Sequence, residues 1–142
     1  MTVFAVPKPP KRFPKERFFK PQKTKALACP LEEDEQAIVA EWLDSKNILF
    51  QASELGAYMH PATFIKLKKI GCKKSHPDIT IYTRCPKLPE ARGVAIELKR
   101  KKGIEARPDQ LEYLERMKAE GWEVAVCKGA EVAISYLKEL GY

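Results

Sequence analysis

The chain has 142 residues, 44% of them hydrophobic and 32% charged, with a formal net charge of +7. That length suits one domain with a real core, and no apolar run is long enough to span a membrane. The N-terminus is cationic but lacks a hydrophobic signal region, so secretion is not expected.

The charge is unevenly placed. Residues 1–30 hold eight Lys/Arg and one acid, Glu16, while the remaining 18 basic and 18 acidic residues cancel. The same stretch holds six of the eleven prolines, which disfavours helix and sheet interiors and predicts an extended arm. Phe4, Phe13, Phe18 and Phe19 alternate there with Lys11, Arg12, Lys15, Arg17 and Lys20. Such an arm suits nucleic acid, through phosphate contacts and base stacking, or a partner subunit that buries the rings. A solubilising tail is the third reading. The domain proper is taken as 31–142.

A helix is predicted over 32–45, with Ile38, Val39, Trp42 and Leu43 as its apolar stripe. Glu32, Glu33, Asp34 and Glu35 crowd its first turn, where acids favour the helix dipole. Ile48 to Phe50 suggest a short strand. Pro61 opens a second helix through Lys69. Lys66, Lys68, Lys69, Lys73 and Lys74 then form a basic run leading to Asp78. It reads as a solvated face or as a guide for phosphates beside a site.

Ile79 to Tyr82 read as a strand starting directly after Pro77-Asp78. Val94, Ile96 and Leu98 read as another, with Ala95, Glu97 and Lys99 on its opposite face. If the two pair, Asp78, Glu97 and Lys99 converge. Two carboxylates suit a hard divalent cation such as Mg²⁺, which takes oxygen ligands and keeps several waters. A lysine beside it can orient water or stabilise phosphate charge. The bland alternative is a solvated Glu–Lys pair.

Arg100, Lys101 and Lys102 make a basic turn after this strand, and Pro108 opens a helix carrying Leu111, Leu114 and Met117. Gln110 falls in its first turn. A strand near 122–127 and a closing helix over 130–140 complete the chain. Cys29, Cys72, Cys85 and Cys127 form no Cys-x-x-Cys pair, and reduced thiols are preferred to a zinc set of Cys72, His76 and Cys85.

Taken in order, Glu32-x-x-x-Gln36, Gly71, Pro77-Asp78, Ile96-Glu97-Leu98-Lys99-Arg100, Gln110 and Gly121-Trp122 resemble the virus-type replication-repair nuclease (VRR-NUC) domain. This is a branch of the PD-(D/E)xK nuclease superfamily, and the resemblance covers residues 32–140. It implies an α/β, restriction-endonuclease-like mixed sheet flanked by helices. It also implies Mg²⁺- or Mn²⁺-dependent cleavage of DNA, with preference for branched or Holliday-junction DNA, by a homodimer. Glu32, Asp78, Glu97, Lys99 and Gln110 would be the catalytic set, with Glu32, Asp78 and Glu97 on the metal and Glu35 as a substitute for Glu32. The lysine run from Lys66 to Lys74 and Arg100, Lys101 and Lys102 would bind DNA. A cytoplasmic setting is expected, in a bacterium or in the host of a phage-like element. Ser75 stands where the family usually has glycine, and His76 where it has an apolar residue. These departures leave a second reading, a catalytically weakened DNA- or partner-binding module.

Overall fold

The computed structural model describes residues 29–53, 59–103 and 105–142. The arm, apart from Cys29 and Pro30, lies outside them. Helix α1 (Glu32–Ser45) is followed by strand β1 (Phe50–Ala52), helix α2 (Pro61–Lys69) and strands β2 (Ile79–Ile81) and β3 (Val94–Lys99). Helix α3 (Pro108–Ala119), strand β4 (Glu123–Lys128) and helix α4 (Ala130–Glu139) complete the order. The helices fall where periodicity, Pro61 and Pro108 place them. The strands shift by one or two residues, and the first begins at Phe50 rather than Ile48.

The sheet runs β1-β2-β3-β4. β1 and β2 are antiparallel, as are β2 and β3, whereas β3 and β4 are parallel. A parallel pair needs a crossover, and α3 supplies it. Among the described residues α3 packs chiefly against β4, whereas α1 and α4 pack together on the other face of the sheet.

β3 is buried at all six positions, as a strand enclosed on both faces must be. Ile79, Ile81, Val94, Ile96 and Leu98 join Val39, Leu43, Ala133 and Leu137 in the core. The apolar stripe of α1 differs from expectation. Ile38 is about half exposed, and Glu35 takes the inward position with Val39 and Leu43.

Gly93 shows why this frame is closely fitted. A β-carbon there would lie 2.2 Å from the Ile81 carbonyl oxygen and 2.6 Å from the Trp122 ring. Any side chain would push β3 away from β2 or displace the indole. Gly121, at φ +90°, ends the α3 turn in a conformation glycine adopts without strain. No helix among the described residues is long and apolar enough to cross a membrane.

Candidate active site

The register explains the convergence. Ile79 pairs with Ile96 and Thr80 with Ala95, so the antiparallel pattern continued by one residue sets Asp78 opposite Glu97. Residues two apart on a strand share a face, which puts Asp78, Thr80, Ala95, Glu97 and Lys99 on the side that carries α3. β2 begins at Ile79, and just ahead of it the Asp78 side chain takes over the pairing toward β3. Asp78 Oδ2 accepts a 2.7 Å hydrogen bond from the Leu98 N–H.

Glu97 is fully buried and Lys99 is 6% exposed. That rules out the solvated pair. Lys99 Nζ donates to Glu97 Oε1 at 2.6 Å and lies 3.7 Å from Glu32 Oε1. Gln110 reaches the same Glu97 oxygen from the first turn of α3. Its own Oε1 accepts the Arg107 N–H at 3.0 Å, which fixes the amide so that the NH₂ end must face Glu97. Glu97 Oε2 is left buried without a partner among the described residues.

Burial pushes the Glu97 carboxyl up to about 7, helped by the charge of Asp78 and opposed by Lys99. Burial also raises Asp78, against the Leu98 N–H and the Lys99 charge, which lower it. Two carboxyls held this way resist ionisation unless a further positive charge joins them.

That is the condition a divalent cation would meet, and the donor set fits one: two facing carboxylates, with Oε2 of one uncommitted. The expected third ligand does not join them. Among the described residues, no three Asp, Glu, His or Cys side chains gather closely enough to hold a metal ion. Lys99 stands between Glu97 and Glu32 and makes the ionic contact with each. Zinc has no support either, because Cys85 is buried in the core with its thiol directed to the Leu140 carbonyl.

Glu35 does not substitute for Glu32. Its Oε2 accepts the Ala130 N–H at 2.7 Å, so it caps the start of α4 from inside the core. Gln36 ties α1 to the end of β1 through the Ser53 carbonyl, at 3.2 Å.

The basic residues divide by task. Lys66, Lys68, Lys69, Lys73 and Lys74 are all exposed, with no ion pair among the described residues. Arg100 turns inward instead, donating to the Pro30 and Cys29 carbonyls at 3.2 Å each. Lys101 pairs with Glu131 at 2.9 Å, and Lys102 is exposed.

Arg107 is the residue that sequence reasoning passed over. Its guanidinium pairs with Asp109, which holds it protonated, and the charges of Glu97 and Asp78 add to that effect. A cation next to Pro108 at the start of the Gln110 helix was the available signal.

Among solved structures, a VRR_NUC domain protein is similar to this chain at 29% identity and a TM-score of 0.59. The match covers 83% of this chain and 91% of that one. The chain has a VRR-NUC fold. No family model matches it, and no curated protein does. The VRR-NUC likeness spans most of both chains, so the mixed sheet and its helices are shared as a unit. This is a nuclease-type fold, and VRR-NUC nucleases generally use divalent metal.

Proposed function

We propose that this protein is a divalent-metal-dependent endonuclease that hydrolyses phosphodiester bonds in DNA, selective for branched or Holliday-junction substrates. The observation that carries the reading is the meeting of half-buried Asp78 with buried Glu97, Lys99 and Gln110, with one carboxylate oxygen uncommitted. Burial of so many polar groups costs stability, and such costs concentrate at functional sites.

Asp78 and Glu97 would hold Mg²⁺ or Mn²⁺, with Glu32 reached through water. The ion supplies a Lewis acid for the phosphoryl oxygen and lowers the pKa of a bound water. Lys99 cannot ligate it, but its ammonium can stabilise charge growing on the phosphate. Gln110 keeps Glu97 in one orientation. The exposed lysines of α2 and the following turn suit the DNA backbone. A homodimer would supply two such sites for the two strands of a junction.

The decisive test incubates the purified protein with linear, flap and four-way DNA, with and without Mg²⁺ or Mn²⁺. Metal-dependent products, richest on the branched substrates and absent for Asp78→Ala, are expected. Uncut DNA in all arms would refute the nuclease reading, and equal cutting of linear DNA would refute the selectivity.

A further inference from the structure

On the α3 face of the sheet, beside the carboxylates, lies a cavity of about 470 Å³. That volume is within the range of small-molecule sites, roughly 300–1,000 Å³. Its walls come from four places: Gln51 on β1, Cys72, Lys73 and His76 in the turn after α2, Tyr82 just after β2, and Tyr113 on α3. α3 covers the β4 side of this face, so the β1–β2 half is left open between α2 and α3.

The lining is aromatic and cationic. The rings of His76 and Tyr113 lie 5.7 Å apart at 58°, and Tyr82 meets Trp122 edge-on at 6.1 Å. His76 Nδ1 sits 2.9 Å from the Pro77 carbonyl, which can only accept, so Nδ1 carries the proton. In the neutral ring Nε2 is then an acceptor. Among the described residues lining the cavity there is no acid, and Lys73 is the cation. Such a lining disfavours cationic ligands and suits a planar ring linked to an anionic group.

Thr80 lies beneath this face of the sheet without forming part of the cavity wall. It is 2% exposed, and its hydroxyl has no partner among the described residues. It pairs with Gln51 across the ladder and stands on the cavity's side of the sheet, between Tyr82 and Asp78. Two strand residues, roughly 7 Å, separate Thr80 from Asp78. His76 is likewise two residues from Asp78, and Tyr113 one helical turn from Gln110.

We propose that this cavity receives one unpaired nucleotide of the DNA substrate next to the scissile phosphate, its base stacked on Tyr113 and its phosphate near Lys73. The inference rests on the nuclease reading for its substrate and supplies a physical source for branch selectivity. A duplex keeps its bases stacked inside, whereas a branch point offers one already free. Stacking of this kind tolerates any base.

The test measures binding in EDTA, so that cleavage does not enter. Three labelled duplexes are compared by anisotropy: fully paired, with one bulged nucleotide, and with a bulged abasic residue. The wild type should bind the bulged base about tenfold tighter than the abasic bulge, or about 1.4 kcal/mol. Tyr113→Ala should bring the two within about twofold, and Tyr113→Phe should restore the difference. Cys72→Trp, which fills the cavity from another wall, should also abolish it, and it answers the question should Tyr113→Ala not fold. Equal affinity of the wild type for base and abasic bulges, undiminished preference in a folded variant, or no DNA binding would each overturn the proposal. A base preference without metal-dependent cleavage would leave the cavity assigned and sink the nuclease reading alone.

Discussion

Glu97 meets Lys99 through the same carboxylate oxygen that Gln110 occupies, so both protein donors crowd Oε1 while Oε2 stays buried and bare. Glu35 also keeps one bare oxygen, but it caps a helix inside the core, whereas Glu97 stands opposite Asp78 with both of its donors on one side. The lopsided arrangement holds one oxygen in place and leaves the other for a ligand that brings positive charge.

The first prediction concerns pH. The folded-state pKa of Glu97 is about 7, against an ordinary value of 4.5, so the fold prefers the protonated form. The stabilisation from that proton is complete below about 4.5 and lost as pH rises through about 7. The full difference is of the order of 3 kcal/mol. Urea unfolding in EDTA should therefore show wild type losing stability relative to Glu97→Gln between pH 4.5 and 8. Parallel pH profiles for the two proteins would contradict the assignment.

Lys99 separates chemistry from ligation. Lys99→Met keeps the apolar stem and removes the charge, and should slow metal-dependent cleavage at least ~100-fold, about 2.7 kcal/mol of barrier. Calorimetry should still find a divalent ion bound. A folded variant that no longer takes up Mn²⁺ would show Lys99 to be holding the carboxylates rather than acting on substrate.

Glu32 and Glu35 are one turn apart with opposite fates. Glu32→Ala should impair cleavage and leave the melting temperature nearly unchanged, because its side chain is 47% exposed. Glu35→Ala strips the buried cap from the Ala130 N–H and should cost roughly 1–3 kcal/mol. Thermal melts paired with cleavage rates check both. Equal destabilisation by the two substitutions would refute the division.

Gln110→Glu tests the amide. It would set a carboxylate against Glu97 and lose the donor that α3 gives it. Destabilisation of about 1–3 kcal/mol in EDTA is expected, larger at pH 8 than at pH 5 because both acids are then charged. A variant as stable as wild type at pH 8 would mean that Gln110 does not orient Glu97.

The face shared by Asp78, Glu97 and Lys99 could be read from the sequence because strand alternation alone aligns Glu97 with Lys99, and Pro77-Asp78 marks the start of the neighbouring strand. Pro108 fixes where α3 begins and so places Gln110 in its first turn, but only the family resemblance points it at the Lys99 end of the site. Glu35 could not be told from Glu32 in this way. All four acids of that turn satisfy the helix dipole, and the N–H that selects Glu35 is 95 residues away. The cavity was equally hidden, since its walls belong to segments that only the sheet brings together. Arg100 looked like one more cation in a basic turn, and nothing local directs it inward.

That inward turn of Arg100 bears on where the chain can be cut. Its guanidinium clasps the Cys29 and Pro30 carbonyls, just ahead of the Leu31 cap of α1, so both residues are tied mechanically to the end of β3. A deletion ending at residue 30 would remove both acceptors, release a cation next to Lys99 and loosen the helix that presents Glu32. Loss of activity would then say nothing about the arm. A deletion ending at residue 28 keeps the clasp, so the salt dependence of its DNA binding reports on the arm's charges alone.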